Sequence, residues 1–385
     1  MTAPPTRAAP DSERLARAVL CRVAEPADPM VGELVAEAGP AAALAAIREG
    51  RVAGLDPRVL AGLRHRLTPA VDGAARVDAV RSGPPRRGRF VCPGDAEWPA
   101  GLADLGPRAP YGLWLRGPLD LAAVSRRAVA IVGARAATGY GTQVAADLAA
   151  GCAERGWTVV SGAAFGVDAA AHRGALAVGG LTVAVLACGV DVAYPRAHTA
   201  LLDRVAAQGL VLSELPPGAA PLRHRFLVRN RLVAALTAGT VVVEAALRSG
   251  ARSTATAAAE LSRQVMAVPG PVTSPLSAGP HELVRAGLAT LVTGPEEVLE
   301  LVSPYGEQLL AARRGPERER DHLPALAARV LEAVPVRRAV AMERVARTAG
   351  LAPSDTVAEL GRLLALGLVE RTADGWRLAA RPGGA

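Results

Sequence analysis

The chain has 385 residues, of which 50% are apolar or aromatic and 21% are charged, as expected for a globular protein of two or three domains. All 44 basic residues other than histidine are arginines, and against 36 acidic residues they give a formal net charge of +8, which is compatible with an anionic partner. The absence of lysine excludes a Walker-type phosphate lysine, a Schiff-base lysine and a kinase ATP-site lysine.

The sequence also bears on the compartment and on metal binding. It contains no apolar run long enough to cross a membrane, and its first residues lack the apolar segment of a secretory signal. Its cysteines are far apart, with no C-x-x-C pair: Cys21, Cys92, Cys152 and Cys188. This spacing argues against a disulfide framework or a zinc site. We therefore expect a cytoplasmic protein without a metal or cofactor.

The N-terminal part of the chain has helical periodicity. Apolar positions recur at helical spacing through residues 11–75, and Pro26, Pro29 and Gly50 interrupt them. We predict an N-terminal helical module over residues 1–80. A polar, turn-rich stretch at 81–89 then leads into the next domain.

Residues 81–302 are predicted to form a doubly wound, mostly parallel α/β sheet. Short β-branched runs alternate here with helical stretches, which is typical of a parallel sheet covered on both faces. The predicted strands are 128–133, 158–162, 181–188, 210–214, 240–245 and 264–270. The predicted helices are 140–154, 167–178, 197–208, 229–238, 251–262 and 280–287. In such folds ligands bind beyond the carboxyl ends of the strands.

The C-terminal part is predicted to be a separate small module. Residues 303–322 form a charged linker, and 323–385 contain three short helices followed by two short strands about a turn at Asp374 and Gly375. This order is that of a winged helix-turn-helix. A generic three-helix packing module fits the pattern equally well, so both interpretations stay open.

Two strand ends carry the first candidate binding residues. Gly133 permits a tight turn and close approach of a ligand, while Arg135 offers a guanidinium fork near a helix N-terminus. After the next strand, Ser161 and Gly162 offer backbone donors, and Phe165 could stack on a base or face the core.

The same segment contains a serine, an aspartate and a histidine that could suggest a catalytic triad. Asp168 and His172 are one helical turn apart and follow Ser161. The serine, however, lacks the G-x-S-x-G context of a nucleophile elbow. A capping aspartate and a hydrogen-bonded histidine are therefore favoured.

Two further segments add cations and hydroxyl groups. Residues 223–231 hold an arginine cluster with the chain's single asparagine. Arg225 and Arg229 share one face at helical spacing, and the cluster resembles a phosphate clamp more than a solvated surface. Another strand end supplies Ser249, Gly250 and Thr254. Since these strand ends should lie on one edge of the sheet, the sequence predicts a single anion-binding site.

The motifs that carry these residues follow one another in a recognisable order. They are IVGAR, SGAAFGVDAAAHRGAL, CGVDVAYP, LSELPPG, FLVRNR, VVVEAALRSGARSTA and AVPGPV. Together they resemble the DNA-processing protein A family (DprA, also called Smf) over about residues 90–290. The chain departs from the family at Leu227, where proline is common, and in having no lysine.

The resemblance implies a Rossmann-like core, flanked by a SAM or helix-hairpin-helix-like N-terminal module and a winged-helix-like C-terminal module. It implies a homodimer that binds single-stranded DNA, protects it during natural transformation and loads the RecA recombinase. By this resemblance the DNA-binding residues are Gly133, Arg135, Ser161, Gly162, Phe165, Arg229, Asn230, Arg231, Ser249, Gly250 and Thr254. No catalytic residue is expected.

Two alternatives stay open at the level of sequence. A nucleotide-processing enzyme would need a general acid or base, for which Glu244 and Asp168 are the best candidates. A transcriptional regulator would read duplex DNA through the C-terminal module. The basic residues available there for contacting the DNA groove are few: Arg344, Arg347 and Arg362.

Overall fold

A computed structural model describes residues 11–52, 54–74, 88–308 and 319–379. The chain divides into two compact units, Met1–Leu310 and Ala311–Ala385. The predictions for residues 1–10, 75–87, 309–318 and 380–385 lie outside the described residues. This applies to parts of both predicted linkers and to the outer ends of the two flanking modules, so the predicted domain boundaries remain predictions.

The helical character predicted for residues 11–75 is present, and the described N-terminal residues form α1 (Asp11–Val23), α2 (Pro29–Ala38), α3 (Pro40–Glu49) and α4 (Pro57–Ala74). Asp28 caps α2 by accepting hydrogen bonds from the amides of Met30 (3.1 Å) and Val31 (3.2 Å). Gly50 ends α3 in a left-handed conformation that favours glycine. Within the described ranges no single helix could cross a membrane; only α2 and α3 together, bent by 119°, have the length and composition.

The helices pack against a nine-stranded sheet. Its strands are β1 (Arg89–Val91), β2 (Leu113–Arg116), β3 (Ala128–Val132), β4 (Thr158–Ser161), β5 (Thr182–Val185), β6 (Leu210–Ser213), β7 (Gly239–Val242), β8 (Gln264–Ala267) and β9 (Thr290–Leu291). Their spatial order is β1-β2-β6-β5-β4-β3-β7-β8-β9. Strands β3 to β9 are parallel, whereas β2 pairs antiparallel with both β1 and β6. The predicted doubly wound, mostly parallel sheet is confirmed.

Helices connect the strands as βαβ units require. They are α5 (Leu121–Ser125), α6 (Gly139–Glu154), α7 (Val167–Ala177), α8 (Thr199–Gln208), α9 (Arg223–Ala235), α10 (Gly250–Glu260), α11 (Ala278–Arg285) and α12 (Pro295–Val302). Two 3-10 segments, Ala100–Arg108 and Arg196–His198, complete the unit. Helix α9 begins six residues before the predicted start at 229. The sequence pattern missed this part because it opens with three basic residues and shows no apolar periodicity.

The sheet is buried on both faces, and alternate residues of each strand belong to different layers. On β3, Val129 and Ile131 pack in the core covered by α6, α7 and α12, whereas Ala130 and Val132 belong to the core covered by α9 and α10. Helices α1 to α4 share a third cluster with β1, β2 and α8. The N-terminal helices therefore belong to the same compact unit as the sheet.

The second unit has its own small core. A 3-10 turn (Glu319–His322) precedes α13 (Ala325–Ala333), α14 (Met342–Ala349) and α15 (Pro353–Ala365). The antiparallel strands β10 (Val369–Thr372) and β11 (Gly375–Leu378) follow, and Trp376 also bridges to Val340. Three helices followed by a β-ribbon is the order predicted from the sequence. The winged-helix assignment remains a prediction.

Candidate functional site

A cleft of about 690 Å³ opens where the strand order of the sheet reverses, between β3 and β7. Ligands of doubly wound sheets bind at such a switch point, because neighbouring connections leave to opposite faces there. The cleft is lined by Val132, Gly133, Arg135, Gly162, Ala164, Asp168, Tyr194, Pro221, Arg223, Phe226, Leu227, Arg229, Asn230, Val233, Ser249, Gly250, Ala251 and Thr254. These residues come from the ends of β3 and β4, from the start of α7, from α9 and the segment before it, from the start of α10, and from the loop that contains Tyr194.

The cleft brings together eight of the eleven predicted site residues. They are Gly133, Arg135, Gly162, Arg229, Asn230, Ser249, Gly250 and Thr254. The remaining three, Ser161, Phe165 and Arg231, are not among the residues that line it. The predicted convergence of the strand-end turns is therefore present in the fold.

Gly133 makes the tight turn that follows β3. A Cβ atom at this position would lie 2.5 Å from Val167 Cγ2 and 2.9 Å from the carbonyl oxygen of Glu244, so a larger residue would push α7 away from the sheet. The turn places Arg135 at the surface, with its guanidinium carbon 5.1 Å from the centroid of the Phe226 ring. The ring orients the cation and leaves its hydrogen-bond donors available.

The N-terminus of α6 is not an open anion site. The carboxylate of Glu244 accepts hydrogen bonds from the Thr138 amide (2.9 Å) and from the Thr138 hydroxyl (2.7 Å), and Glu244 is 2% exposed. The Thr138 hydroxyl in turn accepts from the Gly141 amide. A buried carboxylate of the protein itself therefore lies at this end of the helix.

In the turn that follows β4, a buried carboxylate also accepts hydrogen bonds from backbone amides. Asp168 Oδ2 accepts hydrogen bonds from the amides of Gly162 (3.1 Å) and Ala164 (3.3 Å). Burial raises the pKa of this carboxyl group, while Arg229 acts in the opposite direction. Gly162 lines the cleft as predicted, but its amide donates to Asp168 and cannot serve as the expected phosphate donor.

Arg229 is a fixed cation within the floor of the cleft. Its guanidinium donates through Nη1 to the carbonyl oxygen of Val185, and a Cβ atom on Gly162 would overlap the guanidinium. Burial lowers the pKa of Arg229, and Asp168 opposes that shift. The side chain is 6% exposed, and its Nε has no hydrogen-bond partner. This buried cation raises the potential in the cleft without moving.

The N-terminus of α10 forms the opposite wall. The Ser249 hydroxyl caps the helix by accepting from the Ala251 amide (3.3 Å). Asn230 fixes the position of this helix, because its Nδ2 donates to the Gly250 carbonyl (3.1 Å) and to the Ser253 hydroxyl (2.8 Å). The chain's single asparagine thus joins α9 to α10 across the cleft.

Ser161, Asp168 and His172 do not form a catalytic triad. The Ser161 hydroxyl donates to the Ile131 carbonyl (2.7 Å) and is fully buried. His172 Nδ1 lies 2.7 Å from the Thr182 hydroxyl, which itself donates to the Val159 carbonyl, so the histidine proton is on Nδ1. The favoured hydrogen-bonded histidine is confirmed, whereas Asp168 does not cap its helix: the N-cap of α7 is Gly166, and Asp168 accepts from the amides of the preceding turn.

The other two predicted residues lie outside the cleft lining for different reasons. Phe165 is 48% exposed and packs edge-on against His198, with ring centroids 4.7 Å apart. Arg231 is buried and paired with Glu214, with Nη1 to Oε1 and Nη2 to Oε2 distances of 2.7 and 2.5 Å. Phe165 is available at the surface, whereas the guanidinium of Arg231 is occupied by its partner.

The structure adds three residues to the predicted set. Arg223 and Phe226 begin α9, and Tyr194 contacts Phe226 with ring centroids 5.2 Å apart. The arginine-rich segment and the CGVDVAYP motif were both visible in the sequence and contain these residues. Their convergence was not predicted, because it depends on the loop between β5 and α8 folding back toward α9.

The mouth of the cleft is cationic. Among the described residues, Arg135, Arg223 and Arg248 form no ion pair, and the first two line the cleft. Arg248 immediately precedes Ser249 at the start of α10. Tyr194, Phe226 and exposed Leu227 supply apolar surface beside these cations. The arrangement suits a ligand with both anionic and flat apolar parts.

Comparison with known proteins identifies the family. Residues 89–303 match the family model described as DNA recombination-mediator protein A. The chain belongs to that family. It is 46% identical over 378 residues to a DNA processing protein DprA of Mycobacterium tuberculosis strain H37Rv, covering 96% of this chain and 95% of the relative. It is 43% identical over 191 residues to DNA processing protein DprA of Streptococcus pneumoniae strain R6, covering 50% of this chain and 66% of the relative.

Solved structures of family members agree in fold. The X-ray structure of DprA from Streptococcus pneumoniae aligns with a TM-score of 0.63 and 32% identity, over 77% of this chain and 99% of that one. A structure of DprA from Helicobacter pylori, described for its single-stranded DNA binding mode, aligns with a TM-score of 0.50 and 29% identity, over 56% of this chain and 96% of that one.

Proposed function

We propose that this protein binds single-stranded DNA in the cleft at the switch point of its sheet. The observation that carries the proposal is the convergence of Arg135, Arg223 and Arg229 with the N-terminus of α10 in one cavity. Guanidinium groups and helix-end amides bind phosphate oxygens, while exposed aromatic rings bind bases whatever their sequence. Tyr194 and Phe226 lie beside the cations, so both parts of a nucleotide strand have a partner.

The relatives support this choice of ligand. The Helicobacter pylori family member is described as binding single-stranded DNA, and the family model matches the part of this chain that contains the cleft. We extend that activity to this chain and assign its DNA contacts to Gly133, Arg135, Phe165, Arg229, Asn230, Ser249, Gly250 and Thr254. To these we add Arg223, Tyr194 and Phe226, and we assign Arg231 a structural role.

We propose a binding protein and not a nucleotide-processing enzyme. The two acidic candidates for acid–base catalysis are buried, and both accept backbone hydrogen bonds: Glu244 from Thr138, and Asp168 from Gly162 and Ala164. A carboxylate that caps backbone amides is poorly placed to take a proton from a substrate. Incubation with nucleotides and oligonucleotides, followed by chromatography, is expected to return them unchanged.

The second unit is a weak candidate for reading duplex DNA. A recognition helix places its N-terminal residues in the major groove, but α15 carries Asp355 in its first turn and exposes Val357 and Leu364. Of the three arginines noted in the sequence, only Arg362 is on this helix, and its Nε lies 3.7 Å from Glu359. A surface of this composition does not attract phosphates strongly.

As a member of its family, the chain is further proposed to form homodimers, protect incoming strands during natural transformation and pass them to RecA. Strand transfer requires a ligand that is held firmly but sequence-independently, which phosphate and stacking contacts provide. Light scattering during size-exclusion chromatography, with and without an oligonucleotide, measures the oligomeric state. A strand-exchange assay with RecA tests the transfer.

The salt dependence of binding tests the DNA proposal. A labelled oligothymidylate is titrated with the protein at several salt concentrations, with an unlabelled duplex and a mononucleotide as competitors. Each phosphate neutralised on a single strand should contribute about −0.7 to the slope of log K against log salt. A slope corresponding to several phosphates, with weak competition from both competitors, supports the proposal. A flat slope, or complete competition by a mononucleotide, contradicts it.

A further inference from the structure

The loop between α1 and α2 reaches the helix that carries the cleft cations. Glu25 of this loop forms a two-pronged ion pair with Arg225 of α9, with distances of 2.8 Å from Oε1 to Nη2 and 3.0 Å from Oε2 to Nε. His224 Nε2 lies 3.3 Å from the same carboxylate. One acidic residue from the N-terminal helices therefore engages two basic residues at the start of α9.

These two residues border the cleft directly. Arg223, immediately before them, lines the cleft and has no acidic partner among the described residues, and Phe226, immediately after them, contacts Arg135. The segment Arg223–Phe226 thus contains one free arginine, two residues held by Glu25, and one ring of the cleft wall. Released from Glu25, Arg225 would extend the cationic surface of the cleft toward the N-terminal helices.

The pair is placed so that a phosphate group could displace the carboxylate. The Glu25 side chain is 42% exposed and that of His224 is 58% exposed, so solvent and salt reach the carboxylate. The Arg225 side chain is 15% exposed, and its Nη1 also donates to the Ala220 carbonyl oxygen (3.2 Å), so the guanidinium is held in place independently of Glu25. The hydrogen bond from Arg225 holds the pKa of Glu25 below its ordinary value, so the carboxylate is charged and competes with other anions.

From this arrangement we propose that Glu25 limits the affinity of the cleft for single-stranded DNA by competing with a backbone phosphate for Arg225 and His224. The inference rests on the proposed function and concerns how tightly the same site holds its ligand. It assigns the N-terminal helices a direct part in DNA binding. The DNA strand would pass from the cleft over the start of α9, and a phosphate bound there would have to replace the Glu25 carboxylate.

The test is a Glu25→Gln variant, which keeps the size of the side chain and removes its charge. We expect it to bind labelled oligothymidylate about fivefold more tightly at low salt, with a log–log salt slope steeper by about 0.7 for one added phosphate. Glu37→Gln is the matched control, because Glu37 is an exposed carboxylate of α2 and forms no ion pair with α9 in the described part of the chain. It makes the same change in net charge and should leave affinity unchanged.

A double-mutant cycle assigns the effect to Arg225. Arg225→Gln alone should change affinity little, because Glu25 already occupies that side chain, whereas in the Glu25→Gln background it should remove the gain. Unchanged or weaker binding by Glu25→Gln overturns the inference, as does a gain that survives Arg225→Gln. If the wild-type protein itself does not bind the oligonucleotide, the proposed function fails instead, so the two failures are distinguishable.

Discussion

Arg231 donates two parallel hydrogen bonds to Glu214, at 2.7 and 2.5 Å, in a pair whose side chains are 6% and 7% exposed. Its Nε also donates to the carbonyl oxygen of Arg108 (2.8 Å), so the guanidinium connects the end of β6 to the 3-10 segment Ala100–Arg108. Two residues earlier on the same helix, Arg229 lines the cleft. Neighbouring arginines of one motif therefore do different work, one structural and one at the site.

Removing the acidic partner should destabilise the first unit strongly. Glu214→Gln leaves the charge of Arg231 buried without compensation, and breaking such pairs costs about 3–5 kcal/mol. Chemical denaturation followed by circular dichroism measures the loss. Glu154→Gln, at an exposed position near the end of α6, should change the free energy of unfolding by no more than about 0.5 kcal/mol. A Glu214→Gln loss no larger than that of the control would contradict a structural role for the pair.

Replacing the pair by apolar residues should restore stability and keep DNA binding. Glu214→Leu combined with Arg231→Met removes both buried charges together, and such replacements are often neutral or stabilising by about 1–4 kcal/mol. If Arg231 acts only on the fold, the refolded double variant binds oligothymidylate as tightly as the wild type. Anisotropy titration gives the comparison. Weakened binding by a fully folded double variant would instead make Arg231 a DNA ligand.

The stability of the first unit should depend on pH through His172. Burial, together with repulsion from Arg229 and His198, lowers the pKa of His172 to about 3. Below the ordinary histidine pKa of about 6.5, His172 is protonated in the unfolded chain but stays neutral in the folded chain. Stability from this group is thus complete above pH 6.5 and falls by up to about 1.4 kcal/mol per pH unit as the pH drops toward 3.

The variant His172→Asn isolates this effect, since its amide can donate to the Thr182 hydroxyl without titrating. The free energy of unfolding is measured from neutral pH to pH 5 for both proteins. The stability advantage of the wild type over the variant should shrink or reverse as the pH falls. If the free energies of unfolding of the two proteins depend on pH in the same way, His172 has the same protonation in the folded and unfolded chains.

Phe165 should contribute to DNA affinity with little effect on the fold. The ring is 48% exposed, so its truncation removes few buried contacts, whereas stacking of a base on an aromatic ring contributes about 1–3 kcal/mol. We expect Phe165→Ala to weaken oligothymidylate binding at least about fivefold at constant salt. Tyr305→Ala, at a fully exposed aromatic, is the control. If both variants bind the oligonucleotide equally well, Phe165 packs against His198 but does not bind DNA.

Much of the fold was predictable from sequence because it depends on local pattern. Near-continuous apolar runs marked the six central parallel strands, and helical spacing marked the helices between them. Strands β1, β2 and β9 were not predicted, because they lie at the two edges of the sheet, outside the regular alternation of strands and helices that marked the central strands. The start of α9 was missed because its first turns carry arginines where an apolar face would be expected.

The site was predictable in its location but not in its internal chemistry. Gly133, Gly162 and Ser249 follow strands, so they converge wherever parallel strands end together. The capping carboxylates were not predictable in the same way. Glu244 lies 106 residues along the chain from Thr138, whose amide donates a hydrogen bond to its carboxylate. Only the pairing of β3 with β7 brings the two residues together. Amides that appear free in a sequence can therefore already be occupied in the fold.

A comparison of two double variants at equal net charge tests most directly whether the cleft cations hold single-stranded DNA. Arg135→Ala with Arg223→Ala removes two exposed arginines that line the cleft, whereas Arg173→Ala with Arg204→Ala removes two exposed arginines outside it. Oligothymidylate affinity is measured for both across a series of salt concentrations. We predict that the cleft variant loses about tenfold or more in affinity and that its slope becomes shallower by about 1.4, while the control keeps the wild-type slope. Equal losses in the two variants would mean that net charge, and not the cleft, attracts the strand.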